Sequence, residues 1–336
     1  MSKILLIGPR KNIKNPDKIG GVIILFEDLI SYCNKKNIAI AVIDTNKDNY
    51  SNKLSAYFGI VSSLLFQLPR VTHVSLHGTA NDFVLIAPIV VMLSKLFRKD
   101  VSLRKFAGNF IELFEGYATF KQKIVTWSLH HTTCNFFETQ YLVEYFKKYN
   151  TNTYWFPNVR EKQEISTDTT YQKRFIFIGA VSHEKGIDVL CRAADLLDDS
   201  YLIDIYGKLF DGYTQEYFSE HNVKYCGILR SEDVINTLQQ YDILLLPSFR
   251  EGYPGVIIEA LSVGLPIIAT NLEGIREMVN EESSVLVDTD NAQQLCEAIM
   301  SFDDTNYALK SIAATKQFDN FNSNIQTPLF LKNIGL

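Results

Sequence analysis

No apolar run in the 336-residue chain is long enough to cross a bilayer. The longest, residues 83–93, has 11 residues with Pro88 inside it, against about 20 for a spanning helix. A buried or interfacial helix fits it. The opening MSKILLIGPR has too short an apolar core for a signal peptide and reads as a first strand. Cysteine is sparse: the five (Cys33, Cys134, Cys191, Cys226 and Cys296) form no C-x-x-C pair. Neither a zinc site nor a disulfide framework is indicated, which fits a reducing compartment. His130-His131 has no third partner at ligand spacing. Both G-x-G-x-x-G and the Walker loop are missing, which disfavours a nicotinamide-dependent dehydrogenase.

What is present is globular, with 46% apolar and 21% charged residues. The length suits two domains. The net charge of −5 is unevenly spread: residues 1–160 carry +9 and residues 161–336 carry −14. That asymmetry supports a boundary near residue 160. The basic half either meets an anionic partner or surface, or simply carries solvated lysines. No nucleic-acid partner is expected.

In the first half, residues 3–8 read as a buried strand and residues 22–35 as a helix, with Gly20 and Gly21 at its entry. A strand, Gly-bearing loop and helix in that order can present backbone N–H groups to a phosphate. Residues 38–44, 71–77 and 101–106 read as strands, the third of these four ending at His77. Apolar helices are predicted over 54–68 and 81–97. Arg98, Lys99, Arg104 and Lys105 follow the second. Such a helix suits either an anionic bilayer surface or a core. A helix over 138–149 is flanked by segments 123–129 and 154–157, and polar residues 160–173 read as a linker.

In the second half the alternation is regular. Strands are predicted near 174–181, 201–206, 223–226, 243–247, 267–270 and 284–287, with helices between them. This predicts a doubly wound parallel sheet that binds ligands at the C-terminal ends of its strands. Lys185 stands at a helix start, a poor place for a cation unless an anion is served there. Gly207 follows the second strand of this half, where backbone can approach a ligand. Residues 288–290 spell D-x-D, but Asp290 is expected to cap the next helix, and no metal site is expected.

The most informative stretch is LLLPSFREGYPGVIIEALSVGLPIIAT, residues 244–270. It reads strand, loop, helix, strand, with Pro254 in the first helical turn and Gly264 at the helix end. Glu251 lies in the loop. Glu259 lies on the helix, about 7.5 Å along the axis from Pro254. The helix mouth at Gly252, Tyr253 and Gly255 suits a phosphate. A ligand with a diphosphate at that mouth can place one polyol near each carboxylate, and a nucleotide sugar has this layout.

Glu251, seven residues, then Glu259, within EGYPGVIIEALSVGLPIIAT, resembles the E-x7-E segment of retaining glycosyltransferases of the GT-B fold, in particular glycosyltransferase family 4. The resemblance implies an α/β fold of two doubly wound Rossmann-like domains facing across a cleft. Residues 1–160 would be the acceptor-side domain and 161–303 the nucleotide-sugar-binding domain. Residues 304–336 would be a C-terminal helix and tail returning to the first domain. It also implies that Glu251 holds hydroxyls of the donor sugar and Glu259 the ribose. Lys185, Gly20 and Gly21 would face the diphosphate, and Ile228 and Leu229, beside Gly227, the base. Two positions depart from the family. Ala180 stands where relatives carry an Arg on the diphosphate. Phe106-Ala107-Gly108 stands where many carry a histidine-glycine pair, which leaves His77 as the other candidate for an acceptor-side catalytic group.

The implied activity is a metal-independent hexosyl transfer without a cofactor. A nucleotide diphosphate sugar, with UDP or GDP left open, would donate to a glycan or polyprenyl-linked acceptor in bacterial surface polysaccharide assembly. The expected setting is cytoplasmic, with peripheral contact to an anionic membrane surface. Two alternatives are a non-catalytic partner that binds a nucleotide sugar and a nucleotide-sugar epimerase on the same fold.

Overall fold

A computed structural model describes residues 3–13, 15, 20–106, 108–163 and 170–336. Parts of the expected phosphate loop (14 and 16–19), Ala107 and the middle of the expected linker (164–169) lie outside the described residues. The chain divides into two compact units, Met1–Val159 with Ser323–Leu336, and Arg160–Asn322. Residues 304–322 therefore stay with the second unit, and only the last segment joins the first.

The first unit holds a six-stranded, all-parallel sheet in the order β2-β1-β3-β4-β5-β6. Its strands are β1 (Ile4–Gly8), β2 (Ile40–Asp44), β3 (His73–Gly78), β4 (Asp100–Lys105), β5 (Cys134–Phe137) and β6 (Thr153–Trp155). The helices are α1 (Gly21–Lys35), α2 (Lys53–Gln67), α3 (Ala80–Leu85), α4 (Ala87–Leu96), α5 (Phe110–Glu115), α6 (Thr119–His131) and α7 (Gln140–Phe146). Side chains alternate across a strand, so β1 feeds two cores. Leu5 and Ile7 join one with Ile60 and Leu64 of α2, Val90 and Val91 of α4, and Val125 and Leu129 of α6. Ile4 and Leu6 join the other with Phe26 and Leu29 of α1.

Three local readings change. The 81–97 helix is two helices, because Pro88 falls in the first turn of α4, where a missing N–H is tolerated but a continuous helix is not. Segment 123–129 lies inside α6, and the strand before α7 is β5. Arg104 and Lys105 are buried at the end of β4 and do not extend a basic surface. The Arg104 guanidinium lies 3.9 Å from the Phe156 ring centroid and donates to the Pro157 carbonyl at 2.9 Å. Lys105 donates to the Phe106 carbonyl.

The second unit repeats the architecture, with order β12-β11-β10-β7-β8-β9, all parallel. The strands are β7 (Arg174–Ile178), β8 (Leu202–Tyr206), β9 (Lys224–Tyr225), β10 (Ile243–Leu246), β11 (Ile267–Thr270) and β12 (Ser284–Val287). The helices are α8 (Ile187–Ala194), α9 (Gln215–Phe218), α10 (Val234–Leu238), α11 (Gly255–Ser262), α12 (Glu273–Arg276), α13 (Ala292–Met300) and α14 (Asp304–Gln317). A last helix, α15 (Ser323–Asn333), puts Phe330 and Leu331 into the α1-side core of the first unit. The expected doubly wound α/β architecture is thus present in both units. β7 lies between β8 and β10, so the order reverses there and the loops after β7 and β10 leave the sheet in diverging directions. This is where such sheets hold ligands.

Candidate functional site

Two backbone contacts build the mouth of the second unit. Gly186 caps α8 with φ +71°, and a Cβ there would stand 2.0 Å from the Pro247 carbonyl oxygen. Only glycine lets the turn after β7 lie that close to the end of β10. Phe249 N–H donates to the Glu184 carbonyl at 2.9 Å and locks the same two loops. On the other side, a Cβ on Gly207 would stand 1.6 Å from the Gly179 oxygen. Gly207 N–H donates to the Gly227 carbonyl at 2.8 Å. The ends of β7, β8 and β9 are therefore held together by main chain.

This scaffold joins Lys185 to Glu251. Lys185 Nζ donates to Glu251 Oε1 at 2.7 Å, and Ser248 Oγ donates to the same oxygen at 2.7 Å. Thr270 Oγ1, at the end of β11, donates to the Ser248 carbonyl at 2.6 Å. The Glu251 side chain is 8% exposed and that of Lys185 26%. A cation and a hydrogen-bond acceptor thus stand side by side at the switch point. Pro254 is the N-cap of α11, and Gly252 and Gly255 flank it in sequence. Tyr253 is buried, with its ring 6.2 Å from that of Phe321. Ile228 is exposed and Leu229 half-buried beyond β9.

Glu259, on α11, is held by Arg160. Nη2 and Nε of Arg160 reach its Oε1 at 2.8 and 3.1 Å. Arg160 N–H also donates to the Phe321 carbonyl at 3.0 Å, where the chain leaves this unit. Arg160 carried no signal in the sequence, since it opens the segment read as a linker. A second unexpected group lies beside Lys185: His183 Nδ1 is 2.6 Å from Asp188 Oδ2, and Tyr213 and Tyr217 donate to Asp188 Oδ1 at 2.6 and 3.1 Å. Burial raises the Asp188 carboxyl, but the bonds from Tyr213, His183 and Tyr217 outweigh it and hold it below its ordinary value.

In the first unit, a Cβ on Gly20 or Gly21 meets no described atom within 4 Å. His77, expected beside the reacting sugar, is fully enclosed instead. Its Nε2 is 3.0 Å from Ser75 Oγ, and the rings of Phe26, Phe106 and Phe330 surround it. Burial first, then Arg104 and His73, push its pKa far down. Arg10, on the loop after β1, pairs with Glu27 at 2.6 Å. Among the described residues no three His, Cys, Asp or Glu side chains gather as a metal site. Asp290 pairs with Arg192 at 2.5 Å, and Asn291 rather than Asp290 caps the next helix.

Two parallel-sheet α/β units of this kind define the GT-B fold. The chain overlays HepE of Anabaena in complex with UDP with a TM-score of 0.72, at 15% identity, over 99% of this chain and 100% of that one. It overlays the lipopolysaccharide outer core galactosyltransferase WaaB with a TM-score of 0.69, at 14% identity, over 99% of both chains. At these identities the likeness concerns the fold. Residues 158–316 match the family model described as glycosyl transferases group 1. TuaC of Bacillus subtilis (strain 168), named as a putative teichuronic acid biosynthesis glycosyltransferase, is 30% identical over 132 residues, 39% of this chain and 33% of that protein. The N,N'-diacetylbacillosaminyl-diphospho-undecaprenol alpha-1,3-N-acetylgalactosaminyltransferase of Campylobacter jejuni is 28% identical over 128 residues, 37% of this chain and 34% of that protein. The chain thus spans about a third of the length of these curated relatives.

Proposed function

We propose that the protein is a retaining glycosyltransferase of the family 4 type, moving a sugar from a nucleotide diphosphate sugar to a glycan or polyprenyl-linked acceptor in bacterial surface polysaccharide assembly. The observation that carries this reading is the Lys185–Glu251 pair at the β7/β10 switch point, next to the N-terminus of α11. In transfer, the bond from the anomeric carbon to the diphosphate oxygen breaks, and a bond to the acceptor oxygen forms on the same face. The acceptor proton passes to the leaving phosphate. Negative charge builds on that phosphate, so its stabilisation is the main catalytic task. Lys185 and the helix mouth at Gly252, Tyr253 and Gly255 supply it. Glu251 orients the donor-sugar hydroxyls, Glu259 accepts from the ribose, the base lies along Gly227, Ile228 and Leu229, and the backbone at Gly207 approaches the ligand. None of these steps needs a metal. The names of TuaC and the Campylobacter transferase support the polysaccharide and lipid-linked setting, which puts the work at the inner face of the cell membrane. The UDP in the HepE complex makes UDP the first nucleotide to test.

Thermal-shift measurement against UDP, GDP and their sugars should show stabilisation by one nucleotide series, since a ligand that binds the folded state raises its melting point. Glu251→Ala and Glu259→Ala should each lose most donor hydrolysis or transfer; wild-type rates in both would sink the assignment. Ala180, in place of the family Arg, favours one second reading, a non-catalytic nucleotide-sugar binder. That reading requires calorimetric binding of a nucleotide with no turnover of any donor.

A further inference from the structure

The three helices α2, α4 and α6 pack one face of each into the same core, through Ile60 and Leu64, Val90 and Val91, and Val125 and Leu129. α4 touches both α2 and α6, so their outer faces are continuous. Those outer faces are unusual in two ways. On α2, Leu54 is 82% exposed, Phe58 77% and Phe66 61%, with Leu65 beside them; on α4, Leu96 is 73% exposed. Met92 of α4, and Phe120 and Trp127 of α6, continue the apolar surface. α2 thus carries one apolar stripe inward, through Ala56, Ile60 and Leu64, and a second outward. A helix apolar on both sides is either buried or set against an apolar medium.

The charge pattern is the second observation. None of the three helices contains an Asp or a Glu. Between Asp48 and Asp100 the sole acidic residue is Asp82, buried and bonded to Thr79. The cations on or beside the face are Lys53, Arg70, Lys95, Arg98, Lys121 and Lys123. Arg70 lies with its guanidinium 3.7 Å from the Phe66 ring centroid, so a charge sits directly on the apolar stripe. The nearest exposed carboxylates in sequence, Asp48, Asp100, Glu112 and Glu115, lie outside all three helices.

We infer that the α2–α4–α6 face docks on an anionic lipid bilayer, its apolar side chains entering the interface and its cations meeting lipid phosphates. Aromatic and aliphatic groups rimmed by Lys and Arg, with no carboxylate, complement such a surface in both hydropathy and charge. A protein partner of ordinary composition would be matched by carboxylates as well as cations. The inference rests on the lipid-linked acceptor reading for its purpose alone; the binding needs no donor and no turnover.

The test is flotation of the full chain with vesicles of phosphatidylethanolamine and phosphatidylglycerol, and with vesicles of phosphatidylcholine. Binding is expected on the anionic vesicles alone, and weaker at 0.5 M salt by about an order of magnitude. Phe58→Ser with Phe66→Ser, and separately Lys95→Glu with Arg98→Glu, should each lower binding by about tenfold or more. Circular dichroism should show folded variants, since all four side chains are exposed. Donor hydrolysis in vesicle-free solution should stay at wild-type level in both, so loss of the transferase reading and loss of the docking reading are separable. Equal binding to both vesicle types, or unchanged binding in both variants, overturns the inference. So does a concentration-dependent dimer of the wild type that the Phe58/Phe66 variant abolishes, because the face would then join two copies.

Discussion

Arg160 donates twice to one oxygen of Glu259, at 2.8 and 3.1 Å, across 99 positions of sequence. Both side chains are mostly buried. The pair ties the entry of the second unit to the helix that carries the second glutamate of the E-x7-E segment. Glu259 is therefore pre-oriented, and Arg160 acts as a positioning residue for it.

Glu259→Gln keeps the shape and loses the charge. It should lower nucleotide affinity by about tenfold, close to 1.4 kcal/mol. Arg160→Met should do the same through the same carboxylate, and the double variant should not be additive. Calorimetric titration with UDP measures all three, and additive losses would mean that the pair is not one unit.

Gly186→Ala meets both a positive φ and the Pro247 carbonyl. Gly212 has φ +83° but no described atom within 4 Å of where a Cβ would stand. Gly212→Ala should therefore cost about 1 kcal/mol, the left-handed penalty, and Gly186→Ala about 2 kcal/mol or more. Urea unfolding of both variants measures the difference. Equal losses would show that the close approach after β7 does not limit the fold.

Lys105 is buried, which lowers its pKa to about 8, against the opposing pull of Glu138 and Asp82. The unfolded chain has the ordinary value near 10.5. Between these two pH values the unfolded state binds more protons, so stability from this group rises with pH, by up to about 1.4 kcal/mol per pH unit. Below pH 8 the burial cost is fully present. Urea titrations at pH 7.5, 8.5 and 9.5 on wild type and Lys105→Met should differ in slope over this window, with the variant flatter. Parallel slopes would assign the lysine an unshifted pKa.

Ala180→Arg restores a cation beside the Lys185 loop. It should tighten donor binding by about three- to tenfold, in proportion to one added charge-assisted contact. A lower KM for the donor, or a lower Kd for UDP, measures this. No change would mean that another group already fills the role.

Much of the second unit was legible because its signals are local. Strand, loop and helix from β7 to β12 follow from short apolar runs broken by Gly, Pro and polar loops, and parallel strands buried on both faces leave that mark on any sequence. Glu251 and Glu259 stood out through their fixed spacing around a proline-capped helix. The first unit was harder. Segment 123–129 reads as the element before the 138–149 helix although the strand there is Cys134–Phe137, and Pro88 splits a run that is apolar throughout. Arg104 and Lys105 read as surface cations because a buried charge has no compositional mark; the Phe156 ring and Pro157 carbonyl accept Arg104 from a distant segment, and the adjacent Phe106 carbonyl accepts Lys105.

The succession of strands and helices in the second half and the doubly wound α/β architecture were written in local pattern, since hydrophobic period, turn residues and helix caps act over a few positions; the order of strands within each sheet was not. Pairings across long separations were decided by tertiary structure. Lys185 meets Glu251 66 positions away, and Arg160 meets Glu259 99 positions away, because the parallel crossovers bring strand ends together regardless of their distance along the chain. The same holds for the outward stripe on α2, apolar in sequence like any core helix. Its exposure follows from which of its two faces the sheet could cover.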